Sequence, residues 1–84
     1  MYELQLERSA EKDLDRIPDD RLAALVAEIR TLAETPRPPG AVKLVGSHSD
    51  WRVRVGRYRV IYEVDDDEKI VRVYRVKHRS HAYD

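Results

Sequence analysis

Four arginines lie within the twelve-residue segment 51–62, WRVRVGRYRVIY, and no acidic residue lies among them. Arginine stays protonated at any relevant pH, and its planar guanidinium group matches the oxygen atoms of a phosphate. Guanidinium groups that are held in place stabilise the negative charge that develops when a phosphate ester is attacked. The segment therefore predicts a site for a polyanion or for an acidic protein segment.

The C-terminal segment 77–83, KHRSHAY, adds side chains that are suited to proton transfer and to phosphate binding. Its histidines change charge near neutral pH, which is the range that acid–base catalysis needs. The chain has no cysteine, and no carboxylate cluster accompanies the histidines, so no metal site is predicted. The chain has only three glycines, which argues against a glycine-rich nucleotide cradle, and no cofactor is expected.

The charges of the chain are balanced in number but separated along the sequence. There are 16 basic and 16 acidic residues in total. Residues 1–34 contain nine acids and five bases, whereas residues 35–84 contain seven acids and eleven bases. Four of the seven acids form the run 65–68, which has the composition of a turn. The second half therefore offers a basic surface, for which an anionic partner is expected.

Two helices are predicted in the first half of the chain. Ser9 is predicted to cap a first helix that ends before Pro18. Asp19 is predicted to cap a second helix, whose apolar residues repeat with a helical period. Segment 35–40, TPRPPG, must end this second helix because it contains three prolines and a glycine.

Four strands are predicted from the alternation of apolar and polar residues. They lie at residues 2–7, about 50–55, 58–64 and 70–77. Gly56 and Arg57 can turn the first pair of the later strands as a hairpin, and the acidic run 65–68 can turn the second pair. We therefore expect one α+β domain over residues 1–84 with the order β-α-α-β-β-β. Two helices would pack on one face of a small, mostly antiparallel sheet.

Strand alternation also predicts where the arginines point. In the first hairpin strand the apolar residues face one side, and Arg52 and Arg54 face the other. Arg59 is expected to project from that same face, and the last strand adds Arg75 and Lys77. The sheet face opposite the helices should therefore be a concentrated cationic surface.

The element order, the central GRYRVIYEV and the terminal VKHRSHAY together resemble the RelE/ParE superfamily of toxins from type II toxin–antitoxin modules. The resemblance covers essentially the whole chain. It is closer to the RelE branch, which cleaves mRNA in the ribosomal A site, than to the ParE branch, which poisons DNA gyrase. A ParE-like gyrase inhibitor without nuclease activity stays as an alternative, and so does a catalytically silent binding module.

The resemblance also implies roles for individual residues. The implied catalytic residues are Arg52, Arg54, Arg59, Arg79 and Tyr83. The implied RNA phosphate ligands are Arg52, Arg54, Arg57, Lys77 and Lys43. The best-known members have lysines where this chain has Arg52 and Arg54, and Lys77 and Arg79 compete for one role. Because arginine is a poor base, we expect Tyr83 to accept the proton, helped by nearby positive charge that favours its phenolate form. Arg79 or His81 is the expected acid.

The resemblance implies partners as well. A RelB-like antitoxin would bind the toxin in a hetero-oligomer, and mRNA and ribosomal RNA would be the polyanions. No apolar run approaches the roughly 20 residues that a membrane-spanning helix needs. The N-terminus also lacks the pattern of a secretory signal, so a cytoplasmic location without membrane contact is expected.

Overall fold

The computed structural model of the chain describes the backbone of residues 1–81 and the side chains of residues 1–80. The strands are β1 Glu3–Leu6, β2 Val42–Lys43, β3 Asp50–Val55, β4 Tyr58–Asp65 and β5 Ile70–His78. The helices are α1 Arg8–Asp15 and α2 Asp19–Thr31, and a 3₁₀ turn, Arg79–His81, follows β5. The strands form one sheet in the order β1-β5-β4-β3-β2, with β1 parallel to β5 and the other pairs antiparallel.

This architecture confirms the predicted α+β fold, with one addition. The two-residue strand β2 pairs with β3 and was not predicted, because two residues are too few to show an alternating pattern. Neither described helix is long and apolar enough to cross a membrane.

The core lies between the helices and one face of the sheet, which we call the inner face. Its buried residues are Ala10, Ile17, Leu25, Ile29, Leu32, Val60, Tyr62, Val64, Val71, Val73 and Val76. Leu25 and Ile29 are four residues apart in α2, so both point from one side of the helix onto the sheet. Each fully buried side chain of this size contributes about 1.5–3 kcal/mol, which makes this layer the main source of stability.

Neither predicted helix cap is observed. The first helix begins at Arg8, one residue before Ser9, and no side chain caps either helix. The hydroxyl of Ser9 instead donates to the carbonyl oxygen of Tyr74 in β5, at 2.5 Å. Asp19 is the first residue of α2 rather than its cap. A hydrogen bond to another element has thus replaced the local bond that the sequence favours.

Strand β5 contains a bulge near its middle. Ile61 lies opposite Arg75, whereas the following Tyr62 lies opposite Val73, so Tyr74 is an extra residue. In a regular strand, Val73 and Val76 would point to opposite faces. The bulge lets both valines face the core. Each later residue of β5 consequently points to the face opposite the one it would have in a regular strand.

Tyr62 makes the fold sensitive to alkali. Its side chain is fully buried, its hydroxyl donates to the Pro36 carbonyl oxygen at 2.7 Å, and burial raises its pKa to about 12. The neutral phenol is therefore favoured in the folded state, compared with a pKa of about 10 in the unfolded chain. This stabilisation is complete below pH 10 and is lost as the pH rises towards 12.

We expect the free energy of unfolding to fall by about 2–3 kcal/mol more in the wild type than in Tyr62→Phe between pH 9 and pH 12. Urea unfolding at several pH values in this range measures the difference. Parallel pH profiles for the two proteins would contradict the assignment of this titration to Tyr62.

Candidate functional site

The charged side chains of the sheet are sorted into rows on its outer face, the face away from the helices. Residues that lie directly opposite each other in neighbouring strands project from the same face. Three of these rows are Asp50–Glu63–Arg72, Arg52–Ile61–Arg75 and Arg54–Arg59–Lys77. Among these three, only the first contains acidic side chains, and Asp65 lies beyond it, opposite Ile70. The third row consists of cations alone.

We call Arg54, Arg59 and Lys77 the cationic row. In such pairs the Cβ atoms lie about 4.5–5.5 Å apart, and like charges at this separation destabilise the sheet. Arg54 is exposed, as predicted, but Arg59 is only 8% exposed and does not project freely from an open face. Its burial in the middle of the row restricts the guanidinium group, which suits it to act as a preorganised donor.

Next to the row lies a pocket of about 270 Å³, which we call the arginine pocket. It is lined by Arg54, Gly56, Arg57, Tyr58, Arg59 and Arg79. The backbone N–H of Arg79 donates to the carbonyl oxygen of Arg57 at 2.7 Å, which attaches the residue after β5 to the β3–β4 turn. Gly56 forms that turn with a φ of 60°, a value that glycine adopts without strain.

The described salt bridges lie away from four of the five cations of this site. The salt bridges among described residues are Arg37–Asp66, Arg72–Glu63, Arg72–Asp65 and Arg75–Asp13. None of them includes Arg54, Arg57, Lys77 or Arg79. The described side chains, those of residues 1–80, also include no group of acidic or histidine residues that could hold a metal ion. The site is therefore suited to an anion brought by another molecule.

The structure brings most of the predicted site residues together, but not all of them. Lys43 lies opposite Trp51, whose ring packs against the core, so Lys43 points to the inner face and away from the cationic row. Arg52 lies one row away from the cationic row, opposite Ile61. The predictions for Tyr83 and for the His81 side chain lie outside the described residues.

His78 holds the first turn after β5. Its Nδ1 accepts the N–H of Ser80 at 3.3 Å and lies 2.8 Å from the Ser80 hydroxyl. Its ring meets the ring of Tyr58 edge-on, with the centroids 5.4 Å apart. Through these contacts His78 orients the start of the segment that follows β5. No pattern in the sequence indicates that Tyr58, half-buried at the start of β4, lines the arginine pocket.

Comparison with known proteins identifies the family. Residues 4–83 match the family model described as the ParE toxin of type II toxin–antitoxin system, parDE. Toxin RelG of Mycobacterium tuberculosis is 33% identical over 86 residues, which cover 98% of this chain and 95% of that protein. The chain belongs to the RelE/ParE superfamily. The resemblance seen in GRYRVIYEV and VKHRSHAY is thereby confirmed.

Solved structures of the superfamily have the same fold as this chain. The toxin–antitoxin complex RelBE2 from M. tuberculosis matches with a TM-score of 0.82 at 30% identity, over 93% of this chain and 98% of that one. The archaeal RelE–RelB complex from Pyrococcus horikoshii OT3 matches with a TM-score of 0.83 at 27% identity, over 96% and 98%. The predicted RelE-like fold is therefore confirmed.

The cationic row should make this RelE/ParE member less stable than a variant in which one charge of the row is removed. We expect Arg54→Gln to raise the free energy of unfolding by about 0.2–1 kcal/mol at low salt, because it removes a like-charge pair. The gain should shrink in 1 M NaCl, where the screening length is only about 3 Å. Urea unfolding measures both effects. Arg30→Gln, on the exposed side of α2, is the control and should gain nothing; a destabilised Arg54→Gln would contradict the prediction.

Proposed function

We propose that this chain is the toxin of a type II toxin–antitoxin pair and that it is a ribosome-dependent, metal-free endoribonuclease acting on mRNA. The observation that supports this most is the cationic row Arg54–Arg59–Lys77, with Arg57 and Arg79 beside it in the arginine pocket or at its rim. A phosphodiester that enters this site meets cations on several sides. No described salt bridge engages Arg54, Arg57, Lys77 or Arg79.

In the proposed reaction the 2′-oxygen of a ribose attacks the neighbouring phosphorus atom. The bond between phosphorus and the 5′-oxygen breaks, which gives a 2′,3′-cyclic phosphate and a 5′-hydroxyl end. The pentavalent transition state carries extra negative charge on its non-bridging oxygens. Arg59 is placed to stabilise that charge, because a buried and restricted guanidinium needs little reorganisation as the charge develops. Arg54 and Lys77 flank it and bind the same phosphate.

Two proton transfers complete the reaction. The proton of the 2′-hydroxyl passes to a base, for which we propose Tyr83, since arginines are poor bases. The leaving 5′-oxygen takes a proton from an acid, for which Arg79 and His81 are the candidates. The register between β4 and β5 supports a division of labour between the two competing cations. Lys77 lies opposite Arg59 and contacts the phosphate, whereas Arg79 stands at the turn, nearer the leaving group.

The ribosome supplies the alignment that this small site lacks. When mRNA is held in one geometry by the ribosome, the toxin has only to add its charges, and positioning contributes much of the rate. Arg52, one row from the cationic row, is placed to contact a neighbouring phosphate of the mRNA or of ribosomal RNA. Such contacts orient the toxin without reading sequence.

The proposed protein partner is a cognate RelB-like antitoxin in a hetero-oligomer. The RelBE2 structure from M. tuberculosis and the RelE–RelB structure from P. horikoshii are both toxin–antitoxin complexes. An acidic, disordered antitoxin segment that folds on the toxin could neutralise the cationic row and exclude RNA. RNA or the antitoxin would then pair, in the two states, with Arg54, Arg57, Lys77 and Arg79, which form no described salt bridge.

A second function is favoured by one observation: the matching family model is described as the ParE toxin. A ParE-like toxin would inhibit DNA gyrase and cleave no RNA. The convergence of five cations on one end of the sheet is what a phosphodiester site requires, and a pure gyrase binder has no need of it. We therefore place this function second.

The deciding experiment is induction of the chain in cells that lack an antitoxin, with mRNA 5′ ends and gyrase-linked DNA breaks mapped in the same samples. Cleavage within translated codons that disappears in Tyr83→Phe supports the nuclease. Intact mRNA with DNA breaks assigns the protein to gyrase. Unimpaired growth with neither effect, at a confirmed level of folded protein, would show a silent binding module and refute the nuclease.

A further inference from the structure

The outer edge of β5 changes partner at the bulge. Strand β1 pairs with β5 only as far as Leu6, which lies opposite Val73. Beyond Val73 the edge is covered by α1, whose side chains take over the hydrogen bonds of a missing strand. Ser9 donates to the Tyr74 carbonyl oxygen, and Asp13 accepts the Val76 N–H at 2.9 Å. The last half of β5 is therefore held from this side by one helix.

Ser9 and Asp13 both anchor β5 to α1, and Asp13 makes more of the hydrogen bonds. Its side chain is only 11% exposed, and it accepts hydrogen bonds from Nε and Nη2 of Arg75 at 2.8 and 3.2 Å, in addition to the Val76 N–H. Burial alone would raise the pKa of Asp13, but the bonds from Arg75 and Val76, with the charges of Arg75 and Arg16, lower it below its ordinary value. The carboxylate is thus ionised and fully engaged at neutral pH.

The cationic row and the arginine pocket together form what we call the anion site. The position of Asp13 gives it two effects on this site. Val76 is followed directly by Lys77, which completes the cationic row, and Arg79 comes two residues later. Fixing the Val76 N–H therefore fixes where Lys77 and Arg79 stand relative to Arg59. The second effect concerns Arg75, which lies in the row next to the cationic row. Its guanidinium is bound to Asp13 and so is kept away from a phosphate on the outer face.

We propose that Asp13 is a positioning residue of the anion site, which sets the places of Lys77 and Arg79 and withholds the charge of Arg75 from RNA. This inference rests on the proposed RNA-cleaving function for its consequence, but its geometry can be tested without it. The sequence contains one signal for Asp13. It lies between Ala10 and Ile17 at spacings of three and four residues, so a carboxylate sits within an apolar stripe.

The test compares Asp13→Asn with Asp15→Asn, which removes the same charge from an exposed position of the same helix. An asparagine at position 13 lacks the carboxylate's charge, so its bond to the Val76 N–H is weaker and holds the end of β5 less firmly. It also cannot neutralise Arg75. Three quantities are measured on each folded protein. They are the salt dependence of binding to a single-stranded RNA with a 2′-deoxy residue at the cleavage site, the hydrogen exchange of the Val76 and Arg79 amides, and the rate of cleavage on ribosomes.

For Asp13→Asn we expect the slope of log affinity against log salt to steepen by about 0.7, because the released Arg75 adds one phosphate contact. We also expect faster exchange at Arg79 and a loss of cleavage of about 10–100-fold, since small misplacements of reacting groups cost this much. Asp15→Asn should match the wild type in all three. A purely structural role would lower the melting temperature without changing the salt slope.

Results that match between folded Asp13→Asn and Asp15→Asn would overturn the proposal. Arg75→Gln gives a second test that does not depend on the folding of Asp13→Asn. Its slope of log affinity against log salt should equal that of the wild type. A slope shallower by about 0.7 would show that Arg75 already binds RNA, and it would refute the claim that Asp13 keeps Arg75 from RNA. If wild type and Asp15→Asn both fail to cleave, the nuclease proposal fails, while the exchange and salt data still decide the role of Asp13.

Discussion

Arg59→Ala is expected to lower cleavage of mRNA on programmed ribosomes by about 10²–10³-fold, the usual cost of removing one preorganised donor to a developing negative charge. Arg59 is the centre of the cationic row and its one buried member. Its loss therefore removes the hydrogen-bond donor that has to move least as negative charge develops in the transition state. Single-turnover cleavage at saturating toxin measures this effect apart from substrate binding.

Two variants make the Arg59 result specific. Arg59→Lys keeps the charge but loses the planar fork, so its rate should fall between those of Arg59→Ala and the wild type. Arg30→Ala removes an exposed arginine from α2 and should cleave at the wild-type rate. Cleavage within tenfold of the wild type by a folded Arg59→Ala protein would contradict the role of Arg59 in stabilising the phosphorane.

The second large effect concerns salt. Five cations converge on the anion site, and each phosphate contact to single-stranded RNA contributes about 0.7 to the slope of log affinity against log salt. The five residues are Arg54, Arg57, Arg59, Lys77 and Arg79. We therefore expect RNA affinity to fall by about 10²-fold between 50 and 200 mM salt. Fluorescence anisotropy with a labelled, non-cleavable RNA measures this dependence.

A matched pair of variants tests the placement of these charges. Arg57→Ala should reduce the slope by about 0.7, because Arg57 lines the arginine pocket. Lys43→Ala removes a cation that is also exposed but points to the inner face, and it should leave the slope unchanged. Equal slopes for Arg57→Ala and the wild type, or a reduced slope for Lys43→Ala, would contradict the geometry of the site.

The common face of Arg54 and Arg59 could be predicted from the sequence, because it depends only on strand alternation and on a two-residue turn at Gly56. The position of Lys43 could not be predicted in this way. Strand β2 has two residues, and its face is set by pairing with Trp51 rather than by a pattern of its own. The burial of Arg59 is also a tertiary effect that a local pattern does not contain.

The bulge of β5 shows a second limit. The valines at 71, 73 and 76 cannot share one face of a regular strand, so the sequence does contain a sign of irregularity. What resolves it is the pairing with β4 and the anchor from Asp13, which lies more than 60 residues away. The roles of Tyr83 and His81 depend on the resemblance of the C-terminal segment and stay predictions.

Repulsion within the cationic row also affects how a toxin of this kind evolves. Most inactivating substitutions in an enzyme reduce its stability, so the inactive copies are degraded. If Arg54 is required for cleavage as proposed, a substitution that removes it relieves repulsion instead, and the inactive chain should fold at least as well as its parent. A lineage that loses its antitoxin is under selection to silence the toxin, and this route preserves the fold. We therefore expect silenced descendants to persist as well-folded proteins that still compete for related antitoxins, rather than to decay as unstable remnants.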